Sequence, residues 1–195
     1  MSSATKEEVV EADKRERYYK DRVGYNSTRY PEHHRPSVEL ILNFLYTYDV
    51  FETEFARWLA TKGLSMSGFN VLMILDGADS KGRQLHELGE LLLVSRANVT
   101  GLIDCLEQRG LVERALDKTD RRVRIARITK LGESLLESML AEHYKGIRRL
   151  CAGMTGPEKV TLNALLTKLR YSIRRSDCWN CPNDGGPGAK GRKSR

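Results

Sequence analysis

Apolar residues recur at three- and four-residue steps along most of the chain, and this spacing is typical of amphipathic helices. A long helix is predicted over 38–62, with Ser37 as its N-cap and Gly63 as its stop. Other helices are predicted, in chain order, near 67–76, 84–92, 95–109, 130–153 and 157–175. The chain is therefore predicted to be mainly helical.

One stretch breaks the helical spacing. Residues 111–114 and 123–128 are short and rich in β-branched side chains, and a charged turn over 117–122 separates them. This pattern predicts a β-hairpin. Two short helices followed by a hairpin form a winged helix-turn-helix. The predicted fold class is thus mainly α with a small β-hairpin wing, and the winged domain spans 64–129.

The predicted helix over 95–109 has two different faces. Its apolar residues follow the spacing of a packed face, with Ser95 as the N-cap. The opposite face carries small or polar residues: Ala97, Asn98, Thr100, Gly101, Asp104 and Gln108. A slim helix face fits the DNA major groove, which is about 12 Å wide, so we predict a recognition helix. Glycine costs a helix roughly 1 kcal/mol relative to alanine, and close approach to another surface is a reason to keep Gly101.

The tip of the predicted hairpin is cationic. Arg121, Arg122 and Arg124 lie within a short stretch, and Asp120 is placed to hold an arginine in one rotamer. A guanidinium forks onto phosphate or enters a narrow minor groove. A solvated charged hairpin would show the same residues, and only the preceding helix pair favours the DNA interpretation.

Composition narrows the class of protein. The 195 residues carry 33 Lys and Arg against 26 Asp and Glu, and the formal charge of +7 permits a polyanionic partner. No apolar run reaches the roughly 18 residues of a membrane-spanning helix, and residues 1–20 lack a signal-peptide stretch, so we expect a cytoplasmic protein. No nucleophile elbow, phosphate-cradling loop or HExxH motif is present, and we expect neither enzymatic activity nor a cofactor.

The two ends of the chain differ from its body. Residues 1–36 mix charges of both signs with tyrosines and lack an apolar stripe, which predicts a flexible arm with at most a short helix over 5–20. Residues 177–195 form a flexible basic tail that holds Cys178 and Cys181. The helices over 37–63 and 130–176 carry more apolar surface than one small winged domain covers. We predict that they form a homodimerisation platform, with an intrachain core as the alternative.

The run QLHELGELLLVSRANVTGLIDCLEQRGLVER over 84–114 resembles the MarR family of bacterial regulators. The wing residues Asp120-Arg121-Arg122 and the following ITKLG over 128–132 continue the resemblance. It implies a homodimeric, ligand-responsive transcription factor, usually a repressor, that binds a pseudo-palindromic operator. A small aromatic or phenolic effector would release it from the DNA.

The resemblance also implies site residues. Ser95, Arg96, Asn98 and Thr100 fall at recognition-helix positions that the family uses for DNA, and the small residues Ala97 and Gly101 lie beside them. Arg122 matches an arginine that the wing inserts in the minor groove, and Asp120 matches its acidic partner. The family binds its effector between the dimerisation helices and the DNA-binding lobe, where the candidate lining residues are Tyr46, Trp58, Met73 and His86.

Two rival hypotheses stay open. The same scaffold would suit a redox- or metal-responsive regulator that uses Cys178 and Cys181, or Cys105. It would also suit a winged-helix module that binds another protein and never contacts DNA. Phosphate contacts distinguish the last case, because they make affinity fall steeply with salt.

Overall fold

The computed structural model describes residues 14–78, 82–92, 95–116 and 123–175. They form seven helices and one antiparallel sheet of three strands, so the predicted fold class is confirmed. The elements in chain order are α1 (Lys14–Arg29), α2 (Arg35–Thr61), α3 (Met66–Asp76), β1 (Arg83–Gln84), α4 (Leu85–Leu92), α5 (Arg96–Gln108), β2 (Val112–Leu116), β3 (Arg124–Ile128), α6 (Lys130–Leu150) and α7 (Gly156–Arg175).

The chain forms two compact units, residues 1–133 and residues 134–195. The first unit contains the winged lobe, whose core is built from apolar side chains that each element places at helical or alternating spacing. The largest fully buried ones there are Leu59, Val71, Leu72, Leu88, Val99, Ile103 and Val112. Burial of such side chains stabilises each by about 1.5–3 kcal/mol, and this is what holds the short helices α3, α4 and α5 together.

The sheet has the strand order β1-β3-β2. The predicted hairpin is present as β2 and β3, with Glu113 opposite Arg127 and Ala115 opposite Ile125. Strand β1 pairs antiparallel with β3, with Gln84 opposite Ile125. The sequence pattern assigned residue 84 to a helix and missed β1, because a strand of two residues leaves no alternation to detect.

The structure corrects part of the prediction that the N-terminal arm is flexible. A flexible arm over 1–36 is wrong for residues 14–29, which form α1 and pack against α2. Val23 is only 4% exposed, and Arg15 pairs with Asp49 while its guanidinium lies 5.0 Å from the ring centroid of Tyr46. Because α1 has one buried valine and otherwise polar contacts, its sequence lacks the apolar periodicity that would have predicted a packed helix.

The start of α2 also differs from the prediction. The helix begins at Arg35, with His34 as its N-cap and Pro36 in its first turn, rather than after Ser37. Proline is favoured there because the first helical N–H groups have no partner within the helix. The predicted stop is confirmed at Gly63, which adopts a φ of 68° directly after the helix.

The second unit contains most of α6 and all of α7. Leu136 and Met139 of α6 are fully buried, whereas α7 has no buried residue along its 20 residues. Apolar side chains of α7 lie open to solvent: Val160, Leu162, Leu165, Tyr171 and Ile173. Among the described helices, none is both long enough and apolar enough to cross a membrane.

Candidate nucleic-acid interface

Helix α5 separates its buried residues from its exposed ones as the sequence predicts. Val99 and Ile103 have no exposed surface and Leu106 is 2% exposed, so this side holds the helix on the winged lobe. The opposite side presents side chains that are all exposed: Ala97, Asn98, Thr100 and Gly101. The helix therefore offers solvent a narrow surface of small and polar groups.

The start of α5 is fixed by Ser95. Its Oγ accepts a hydrogen bond of 3.4 Å from the backbone N–H of Asn98, and this confirms the predicted N-cap. Such a cap stabilises a helix by about 1 kcal/mol and leaves the other first-turn N–H groups facing outward. The side chain of Arg96, also predicted to contact DNA, lies outside the described residues.

Gly101 lies in the middle of the exposed face of α5. A Cβ atom built on this residue would meet no atom within 4 Å. Nothing in the surrounding protein therefore requires glycine here, although glycine costs a helix roughly 1 kcal/mol relative to alanine. The open space is what a surface needs when another molecule approaches the helix backbone closely.

Arg114 on β2 contacts the side of α5, and sequence reasoning missed it. One guanidinium nitrogen, Nη1, pairs with Asp104 and lies 3.0 Å from Glu107 Oε2. The other, Nη2, donates a hydrogen bond of 3.1 Å to the carbonyl oxygen of Thr100. The backbone N–H of Arg114 donates to Glu107 Oε1 at 3.0 Å. Asp104, assigned to the outward polar face from sequence, is thus half-buried and paired.

Of the cations predicted for the wing, one lies in the part of the chain that the structure describes. Arg124 is exposed at the start of β3, opposite Leu116 of β2. Arg127, further along β3, is half-buried, and its Nη1 lies 3.9 Å from Glu113 Oε1. The remaining predicted wing residues Asp120, Arg121 and Arg122 lie outside the described part of the chain.

Of the four residues predicted to line an effector pocket, Tyr46 borders the cavity between α1 and α2. This cavity has a volume of about 510 Å³, and neither Trp58, Met73 nor His86 borders it. Trp58 stacks on Phe55 with ring centroids 5.6 Å apart and meets the ring of Phe69 edge-on. Met73 is half-buried in α3 and His86 is exposed on α4.

The α1–α2 cavity is lined by both apolar and polar side chains. Val23, Pro36, Leu40 and Leu42 supply the apolar surface. Tyr19, Tyr46, Asn43, Lys20, Glu16 and Glu39 supply the polar groups. Each carboxylate is balanced on its own helix, Glu16 by Lys20 at 2.8 Å and Glu39 by Arg35 at 2.7 Å.

Two of the four cysteines lie among the described residues, and both are free thiols. Cys105 is exposed on α5 and Cys151 is half-buried directly after α6. Cys178 and Cys181 lie outside the described residues. Within 14–78, 82–92, 95–116 and 123–175, no group of three His, Cys, Asp or Glu side chains is arranged to hold a metal ion.

Comparison with known proteins defines the class. Residues 62–123 match the family model described as MarR family. The transcriptional activatory protein BadR of Rhodopseudomonas palustris is 31% identical over 133 residues, which cover 68% of this chain and 73% of BadR. The transcriptional repressor MprA of Escherichia coli (strain K12) is 29% identical over 113 residues, which cover 58% of this chain and 64% of MprA. The chain therefore spans slightly less than two thirds of the length of MprA.

A solved structure shares the fold. Sco3205, a MarR family transcriptional regulator from Streptomyces coelicolor in complex with DNA, superimposes with a TM-score of 0.66 at 18% identity, over 72% of this chain and 90% of Sco3205. The fold and the relatives identify this protein as a transcriptional regulator with a winged helix-turn-helix, and not as an enzyme. The chain belongs to the MarR family.

Proposed function

We propose that this protein is a homodimeric DNA-binding repressor that recognises a pseudo-palindromic operator. The observation that carries the proposal is the narrow exposed face of α5, where Ala97, Asn98, Thr100 and Gly101 point to solvent and Gly101 has open space above it. Such a face enters a major groove without steric conflict. Asn98 and Thr100 supply groups that hydrogen-bond to base edges or phosphates.

The charge distribution supports the same proposal. The chain has a formal charge of +7, and Arg124 stands exposed at the base of the wing. In the proposed complex, Arg121 and Arg122 reach the adjacent minor groove and Asp120 holds one of them. Arginine is suited to this role because a narrow minor groove concentrates negative potential.

Dimerisation is proposed because two sets of apolar side chains are exposed in the part of the chain that the structure describes. Helix α7 buries none of its residues, although most of the stability of protein helices comes from packing of an apolar face. On α2, Ile41, Phe44, Leu45 and Tyr48 remain 38–49% exposed although α1 packs on the same helix. A second copy would cover these surfaces and supply the two-fold symmetry of a palindromic site.

We further propose that a small aromatic or phenolic ligand lowers operator affinity. The α1–α2 cavity beside Tyr46 supports this, because its volume of about 510 Å³ is within the usual range for small-molecule sites and its lining mixes apolar and polar groups. Titration of a panel of aromatic acids and phenols against the protein–operator complex tests it. Release by a panel member, weakened by Tyr46→Ala, would support the proposal.

Selection of bound fragments from random duplex DNA tests DNA binding directly. We expect enrichment of an inverted repeat, and an affinity whose logarithm falls linearly with the logarithm of salt concentration. Asn98→Ala and Thr100→Ala should relax base preference on the selected site. Asn70→Ala, an exposed substitution on α3, serves as the matched control. Failure to enrich any duplex would favour a protein-binding module instead.

A redox-responsive regulator is the second candidate, and exposed Cys105 on α5 is the observation in its favour. Oxidation there would add a polar group beside the proposed DNA surface. Operator binding is measured with and without peroxide, for the wild type and for Cys105→Ser. A peroxide effect that is lost in Cys105→Ser would favour this candidate over ligand control. A second assay, with a chelator in place of peroxide, tests the alternative of a metal-responsive regulator that uses Cys178 and Cys181.

A further inference from the structure

We infer that Arg114 is a positioning residue that holds the recognition helix α5 against the wing and neutralises carboxylates beside the DNA-binding surface. This inference rests on the proposed function of α5. Arg114 lies on β2, outside the exposed face that is proposed to meet DNA. Its effect on DNA would therefore act through α5 and not through a contact of its own.

The geometry makes Arg114 a clamp along α5. Its guanidinium contacts the carbonyl of Thr100 and the carboxylates of Asp104 and Glu107. These positions follow the i, i+4, i+7 spacing, so they lie on one side of the helix and span about 10 Å of its axis. One side chain thus fixes two helical turns relative to β2. The backbone hydrogen bond from Arg114 to Glu107 adds a second link between the same elements.

The Arg114 contacts are stronger than an ordinary surface ion pair. The side chain of Arg114 is 24% exposed, and both of its terminal nitrogens have acceptors on α5. Charge-assisted hydrogen bonds are about twice as strong as neutral ones. Thr100, whose carbonyl receives one of them, is also a proposed DNA-contacting residue. Arg114 on β2 therefore helps to fix the position of Thr100 on α5.

Electrostatics give Arg114 a second effect. Asp104 and Glu107 place negative charge on the helix that is proposed to approach phosphates, where like charges repel. Arg114 pairs with both carboxylates and draws them towards β2. Without the guanidinium, both charges would be left unbalanced on the side of α5. Loss of Arg114 should consequently weaken DNA binding even if the helix kept its position.

The test compares Arg114→Gln with Arg57→Gln, which removes the same charge from an exposed arginine that pairs with Glu54 on its own helix α2. Operator affinity is measured by fluorescence anisotropy over a salt series, and hydrogen exchange of α5 amides is measured in the free protein. We expect Arg114→Gln to weaken binding at least tenfold and to speed exchange over 100–108. Arg57→Gln should leave both within about twofold.

Two further variants separate positioning from direct phosphate contact. The slope of log affinity against log salt is compared between the wild type and Arg114→Gln combined with Asp104→Asn and Glu107→Gln, because that triple variant has no unbalanced carboxylate to alter the slope. The two slopes should be similar, since a lost phosphate contact would reduce the slope by about one. Adding Asp104→Asn and Glu107→Gln to Arg114→Gln should recover part of the lost affinity by removing the unbalanced charges. If Arg114→Gln does not fold, Arg114→Lys replaces it and should show a smaller loss, because a lysine keeps the charge but not the fork.

Unchanged affinity and unchanged exchange in Arg114→Gln would overturn the inference, and so would a salt slope that is reduced by one in the triple variant. Failure of the wild type to bind any duplex would contradict the proposed function alone. In that case hydrogen exchange in the free protein still decides whether Arg114 holds α5. Faster exchange over 100–108 would support the clamp, and wild-type exchange would overturn it.

Discussion

The hydroxyl of Thr129 donates a hydrogen bond of 2.6 Å to the carbonyl oxygen of Gly110, where α5 has ended. The Thr129 hydroxyl oxygen itself accepts a hydrogen bond of 3.1 Å from the backbone N–H of Gly132 in the first turn of α6. The N–H of Thr129 also donates to the carbonyl of Leu111 at 3.1 Å. One residue therefore joins the end of the proposed recognition helix to the start of α6.

Thr129→Val should destabilise the protein by about 0.5–2 kcal/mol, because valine keeps the shape of threonine but removes the N-cap hydroxyl. Urea denaturation measures the change. Thr53→Val is the matched control, since the Thr53 hydroxyl bonds only the carbonyl of Asp49 on its own exposed helix turn. Equal stability losses for the two variants would contradict a special role for Thr129.

Gly132→Ala should destabilise the protein more than Thr129→Val does. A Cβ on Gly132 would lie 2.2 Å from the carbonyl oxygen of Leu111 and 2.8 Å from Ile128 Cγ1, so α6 would have to move. We expect a loss of roughly 1–3 kcal/mol, the usual cost of overpacking, despite the better helix propensity of alanine. Thermal denaturation checks this against Gly24→Ala, where a Cβ meets nothing within 4 Å and a small gain is expected.

The sequence pattern predicted the winged lobe well because its residues obey local rules. The spacing of Val99, Ile103 and Leu106 follows from helix geometry, and Ser95 and Gly110 are residues that local chemistry places at helix ends. Arg114 was missed for the opposite reason. Its partners on α5 are brought to it by the turn between helix and strand, and no short-range rule pairs a strand arginine with them.

Helix geometry separates two of the residues predicted to line the effector pocket. Tyr46 and Trp58 both lie on α2, and residues twelve positions apart in a helix are separated by about 18 Å along its axis. Trp58 accordingly does not border the α1–α2 cavity. Tyr46 instead lines the cavity made with α1, a helix whose packing the sequence pattern did not reveal. Tertiary contacts of a mostly polar helix leave no periodic signal.

Gly101→Ala should separate stability from DNA binding. Because a Cβ at residue 101 meets nothing within 4 Å, alanine should stabilise the free protein by about 0.5–1 kcal/mol through its better helix propensity. The added methyl group should hinder close approach of α5 and weaken operator binding severalfold. Gly24→Ala provides the control, with a similar stability gain and unchanged binding. Operator affinity equal to the wild type in Gly101→Ala would remove the argument for close approach.

The start of α7 should make stability depend on pH. The backbone N–H and then the hydroxyl of Thr155 donate to Glu158 Oε2, each at 2.7 Å, and these bonds lower the pKa of Glu158. A depressed carboxyl pKa contributes stability above the unfolded value of about 4.3, and that stability is lost as the pH falls through the folded value. The melting temperature of Glu158→Gln should therefore lie slightly below that of the wild type at pH 7. The two should converge only as the pH falls below the lowered pKa of folded Glu158, and a difference that does not shrink as the pH falls below 4 would contradict this account.

Leu165→Glu tests whether α7 is covered by a second copy of the chain. Leu165 is 58% exposed in the single chain, so a charged residue there should cost the isolated chain little. In a dimer the same glutamate would be buried without a partner, which costs several kcal/mol. Sedimentation should show about twice the 22.2 kDa chain mass for the wild type and the single-chain mass for Leu165→Glu. Lys168→Glu, at an exposed polar position of α7, is the matched control and should remain dimeric.

Operator affinity should fall together with dimerisation, because one chain contacts only one half-site. A Leu165→Glu variant that still sediments as a dimer would exclude α7 from the interface.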